Sequence, residues 1–157
     1  REVTGMLVNE YKPGRAFMGC VKHDGDLLTS IEAFAAEKGI KTAQVRVIGA
    51  VKKAVVAFYD QEKKAYFDEF FDQPVEILSC IGNISLKDRK PIAHLHAVFS
   101  DEHGDTMGGH LRPGTIVFFA EIFVQEFEGP ELHRGYDEVT GLPGWTLPGC
   151  NRVHHHY

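Results

Sequence analysis

Four of the nine histidines of this chain fall in one stretch, Ala93 to Leu111, which reads AHLHAVFSDEHGDTMGGHL. His94 and His96 are two apart, with apolar Ala93, Leu95, Ala97, Val98 and Phe99 around them. Residues two apart in a strand project from the same face. Both imidazoles are therefore expected on one side of a sheet. The polar run from Ser100 to Asp105 reads as a hairpin tip, and a second strand returns the chain to Gly109, His110 and Leu111. If the tip is centred on His103, His96 lies opposite His110, with Cβ atoms roughly 5 Å apart. A half-residue shift sets Leu95 against His110 and breaks the trio. Gly108 and Gly109 suit a bulge that absorbs such a shift. The convergent register is the expectation.

Three neutral imidazoles meeting at one point are a ligand set for a divalent ion, most often zinc, with one position open for water or another molecule. The plain alternative for a His-x-His pair is two ordinary histidines. His103 reads as a solvated residue of the loop tip.

The surrounding elements must hold that hairpin. Glu2 to Tyr11 contains an alternating segment (Val3, Gly5, Met6, Val8) and reads as a first strand, Lys12-Pro13-Gly14 as a turn, and Arg15 to Lys22 as a second strand. Asp26 is an N-cap candidate. Leu27, Leu28, Ile31, Phe34 and Ala35 form one apolar helical face over about Leu27 to Lys38, with Glu32, Glu37 and Lys38 toward water and Gly39 just past the end. From Thr42 onward the pattern is of strands. Gln44 to Ile48 alternates, Gly49-Ala50 interrupts it, and Ala54 to Tyr59 follows. Ala65 to Phe71 has aromatics on both parities, which predicts cover on both faces. Val75 to Leu86 is a long strand. Thr115 to Phe127 is a continuous apolar run that also predicts burial on both faces. One helix cannot cover that much sheet, so contact between subunits is the expected remainder. From Gly129 the chain turns irregular, and Tyr136 to Pro148 reads as an ordered surface arm. The whole of residues 1–157 is taken as a single domain, with a core over about 15–142 and an irregular arm over 129–157.

With 22 acidic and 17 basic residues the formal net charge is -5, which argues against tight binding to DNA. Cys20, Cys80 and Cys150 are scattered and odd in number, as expected of reduced thiols in a cytoplasmic protein. No apolar run of signal-peptide or membrane-spanning character occurs. His154, His155 and His156 are set aside as an adventitious metal site.

The order of these features resembles the PPC domain, a family named for being shared by plants and prokaryotes. The matching pieces are Arg46-Val47-Ile48-Gly49-Ala50, Glu76-Ile77-Leu78-Ser79 leading to Gly82-Asn83-Ile84-Ser85, His94-Leu95-His96, Gly108-Gly109-His110-Leu111 and Asp137-Glu138-Val139-Thr140-Gly141-Leu142. The resemblance runs from roughly Arg15 to Leu142. It implies an α/β (α+β) fold, a mostly antiparallel β-sheet with one main α-helix, assembled as a homotrimer. It also implies metal, expected to be zinc, on His94, His96 and His110. The chain departs from the plant branch: it has no Arg-Gly-Arg-Pro hook, and Gln73 to Leu78 differs from the plant Gly-Arg-Phe-Glu-Ile-Leu.

Three functions compete. The first is a binding or assembly module whose metal takes a small anionic ligand, with Arg46 as its helper if that strand neighbours the hairpin. The second is a zinc hydrolase or lyase using metal-bound water, for which Glu76 is the candidate acid–base residue. The third is a DNA-binding regulator.

Overall fold

Alternation of apolar and polar residues dictates strands, and they dominate the computed structural model, which describes residues 4–147. The elements are β1 (Lys12–Val21), α1 (Leu27–Lys38), β2 (Ala43–Asp60), β3 (Ala65–Phe71), β4 (Val75–Lys87), β5 (Lys90–Ser100), β6 (Thr106–Leu111), β7 (Ile116–Glu128), β8 (Arg134–Tyr136) and β9 (Pro143–Trp145). Seven strands form one antiparallel sheet in the order β1-β7-β2-β4-β5-β6, with β3 paired to β2. This is the mostly antiparallel sheet with one main helix expected from the sequence. The 18-residue β2 is its spine. Its first half carries β7 on one edge and β4 on the other. Its second half pairs with β3, and with β6 through Val56–Leu111 and Ala57–His110. The sheet thus curls until β6 returns to the strand from which the β4–β5–β6 run set out.

Helix α1 covers the inner face. Asp26, in extended backbone (φ -76°, ψ 125°), accepts from Thr29 N at 3.0 Å. Its second oxygen accepts from Gly114 N at 2.6 Å, so one carboxylate caps the helix and ties it to the turn before β7. Leu27, Leu28, Ile31 and Ala35 are buried in one cluster with Val45, Val47, Leu95, Ala97 and Phe99. Burying a side chain as large as Leu, Ile or Phe stabilises by about 1.5–3 kcal/mol.

Several expectations change. Residues 4–11 form no strand; Met6 and Val8 are exposed, and β1, an edge strand, begins at Lys12. Pro13 fits there because an edge strand tolerates a missing donor, and the pairing slips between Pro13 and Ala16. Gly49 (φ 145°) makes a bulge inside β2 rather than ending it. β3 is exposed over most of its length rather than covered on both faces; Phe71 at its end packs against the core. β7 buries Val117, Ala120, Ile122 and Val124 on one side and leaves Phe119 and Phe123 open on the other. Glu32 does not face water: its Oε2 accepts from Ala93 N at 3.1 Å, and burial raises its carboxyl above the ordinary range. Cys150 and His154 to His156 lie outside the described residues.

Strands β4 and β5 approach closely at Gly82, where an added Cβ would lie 1.8 Å from the His94 carbonyl oxygen. Gly82→Ala is therefore expected to force β5 away from β4 beside the histidines, at a cost of about 2–3 kcal/mol. Thermal unfolding measures this, and an unchanged melting temperature would contradict the tight approach.

Candidate metal centre

The alternation of β5 turns Leu95, Ala97 and Phe99 to the core and His94, His96 and Val98 to the outer face. The register with β6 is set at the hairpin tip. Asp101 Oδ1 accepts from His103 N at 2.8 Å and from Asp105 N at 3.0 Å, closing the turn. His96 is then paired with His110. The cross-strand row continues from His96 to Ile81, and His94 sits opposite Asn83. Glu32 holds the backbone of β5 one residue before His94, where the strand has passed beyond the end of β6.

The three rings converge. Their centroids are 5.0 Å apart for His94–His96, 5.0 Å for His94–His110 and 5.5 Å for His96–His110. One nitrogen from each lies within 4.8 Å of the others, and among the described residues this is the one group of three His, Cys, Asp or Glu side chains that meets in this way. His94 Nε2 and His96 Nε2 are 3.1 Å apart, near the roughly 3.3 Å that separates tetrahedral nitrogens about 2.0–2.1 Å from zinc. His110 Nδ1 is buried with no hydrogen-bond partner, a condition that costs about 1–3 kcal/mol. Burial pushes both His94 and His110 down to about 4, with Arg134 the next influence on His94 and the other two imidazoles the next on His110. Both are therefore neutral at neutral pH, the form that ligates metal. The donor set, the spacing and the neutral state all fit a zinc ion.

Beside the group opens a cleft of about 700 Å³, lined among others by Tyr66, His94, His110, Arg112, Arg134 and Trp145. The Tyr66 ring lies 5.1 Å from His110 and 5.6 Å from the Arg112 guanidinium, which pairs with Asp68 at 3.2 Å. Arg134 comes from β8. It donates to Ser85 Oγ at 3.0 Å, Asn83 Oδ1 at 2.8 Å and Pro143 O at 3.1 Å, and lies 5.3 Å from the Trp145 ring.

The other sequence candidates lie elsewhere. Arg46 shares the outer-face row, paired to Ile81, which is paired to His96. That places it two strands from the group, roughly 10 Å at the usual spacing, and it lines a shallow groove with Gln44 and Phe123 instead. Glu76 faces Ser100 at the opposite end of β4 and lines a groove with Lys52 and Asp101. His103 stays exposed at the hairpin tip. Arg134 sits in the irregular tail, where no spacing in the sequence relates it to the histidines. The one sequence hint was Asn83 and Ser85, polar residues two apart in an apolar strand.

A family model for the Plants and Prokaryotes Conserved (PCC) domain matches residues 8–128. The chain belongs to that family. Among solved PCC-like structures, a metal-containing protein from Archaeoglobus fulgidus is 43% identical, with TM-score 0.85 over 89% of this chain and 99% of its own. A plant- and prokaryote-conserved (PPC) protein from Pyrococcus horikoshii is 36% identical, with TM-score 0.84 over 89% of this chain and 96% of its own. A curated relative, the bifunctional protein GlmU of Synechococcus sp. (strain JA-3-3Ab), is 30% identical over 118 residues; the match spans 74% of this chain and 18% of that protein's length.

The depressed imidazoles have a consequence for stability. In the unfolded chain both titrate near 6.5, and in the fold near 4. Between those values the unfolded state binds more protons, so the metal-free fold loses stability as pH falls through that window. Chemical unfolding of metal-free protein across the window should show the loss. His110→Gln, which has no proton to gain, should flatten it; an identical pH dependence in that variant would contradict the assignment.

Proposed function

We propose that this PCC chain is a metal-binding module that assembles as a homotrimer, holding zinc on His94, His96 and His110 and offering the open position to a small anion. The convergence of the three imidazoles carries the reading. The metal-containing relative from Archaeoglobus fulgidus supports it. Bound zinc supplies a fixed positive charge and Lewis acidity there. The chain's own part is to keep the imidazoles neutral, hold them in register and surround them with arginine.

Assembly is supported by the outer face of the sheet. Met18 (79% exposed), Phe123 (36%) and Ile81 (54%) belong to one cross-strand row that passes through Arg46 and ends on His96 and His110, and Ile48 and Val98 flank it. Exposed apolar side chains grouped in this way, with one arginine among them, call for a partner surface. A second copy supplies one, and the family resemblance makes the number three. The free thiols Cys20 and Cys80 suit the reducing cytoplasm. No helix among the described residues is long and apolar enough to cross a membrane.

The hydrolase or lyase reading needs an acid–base group beside the metal, and Glu76 lies away from it. Asp137 lines the cleft, but its oxygens already accept from Val139 N and Thr140 Oγ1. The DNA-binding reading meets a net charge of -5.

Elemental analysis of protein lacking the C-terminal histidines tests the metal reading. Zinc close to one equivalent per chain is expected. His96→Ala should remove most of it and His103→Ala none; equal loss in both would refute the ligand set. Sedimentation tests the assembly: a trimer is expected at micromolar concentration, and Ile81→Glu should shift it toward monomer. A wild-type monomer would overturn that part.

A further inference from the structure

Arg134 is a half-buried cation with no carboxylate within ion-pair distance among the described residues. Arg15 is paired with Glu126, and Arg112 with Asp68. Arg134 bonds to neutral oxygens alone: a serine hydroxyl, an asparagine amide and a proline carbonyl. Burying a charge without a counter-charge is costly, yet the arm is built around this one. The Trp145 face lies 5.3 Å from the guanidinium, and Trp145 Nε1 donates to Ser85 Oγ, the same oxygen that receives Arg134 Nε. These bonds use one N–H on each guanidinium nitrogen. Of the five donors, one remains on Nη1 and one on Nη2. These two N–H groups and the positive charge suit an anionic oxygen.

The cleft supplies the rest. Arg134, His94 and His110 line the same space of about 700 Å³, and Ile92, Leu142 and Trp145 give it an apolar wall. That volume lies within the usual range for small organic ligands, and the apolar wall favours a carbon skeleton over a bare inorganic ion. We propose that Arg134 receives the carboxylate of a small organic acid bound in this cleft, with a second oxygen of the acid directed to the histidine group. The proposal deepens the metal-site reading and rests on it for the second contact alone.

The test titrates the full chain, zinc-loaded and metal-free, with malonate, succinate and glutarate, which span increasing distances. Trp145, the single tryptophan, reports binding by fluorescence, and calorimetry gives the affinity. At least one acid should saturate. Arg134→Gln should weaken it about tenfold or more with zinc content unchanged, since a charge-assisted hydrogen bond is lost. Arg134→Lys keeps the charge but not the fork and should bind several-fold more weakly than wild type. If Arg134→Gln does not fold, the lysine variant decides, and wild-type affinity in it overturns the proposal. Saturation that depends on Arg134 in a protein unable to hold zinc would sink the metal reading and leave this one standing. The proposal falls if no acid saturates in either metal state, if Arg134→Gln binds like wild type, or if inorganic phosphate competes as well as the acids.

Discussion

The antiparallel pairing of β5 with β6 is the constraint on which the rest depends. Side chains alternate with period two, so a one-residue slip would send His110 to the core and Leu111 to the outer face. Asp101 closes the tip, α1 fills the inner face against Leu95 and Phe99, and Glu32 holds the free backbone edge beside His94. Asp101 opposes a slip of β6 directly, and α1 and Glu32 fix which face of β5 meets it. The three imidazoles therefore need no direct bond to the scaffold to converge; their position follows from burial on the opposite face.

That same division explains what could be read from the residues. Helix α1, its Asp26 cap and the alternation of β5 follow from local pattern, and local pattern was enough to anticipate them. The His96–His110 pairing was legible because a hairpin register needs only its tip. Local pattern says little where a non-local partner decides the outcome. Gly49 reads as a break because the bulge it makes exists only against β4, a partner far along the chain. The aromatics of β3 read as buried because nothing in their spacing says that Phe71, at the end of the strand, is the one that reaches the core. Arg46 and Glu76 were singled out by residue type on plausible strands, but their placement depends on strand order. Arg134 was missed because it reaches the cleft from a tail whose short β8–β9 pair has no periodicity to detect.

The charge distribution around the histidines is one-sided. Two arginines approach the cleft, and the carboxylates near it are committed: Asp68 to Arg112, Asp137 to its own turn. Burial holds His94 and His110 neutral, so neither adds positive charge at neutral pH. A divalent ion placed there would meet no carboxylate ligand within the three-histidine group. Its charge would be left to whatever negative group enters the arginine-flanked cleft.

The dual pairing of β2 bears on how the chain is made. During synthesis His94 and His96 leave the ribosome together on a strand that can already dock on β4. Their third companion sits on β6, which must also find Ala57 far back in the chain. Such distant pairings come late, because closing a long loop costs entropy before any contact repays it. The β5–β6 hairpin is local, so the three imidazoles can meet before the curl closes, and the β2–β6 pairing fixes them afterwards.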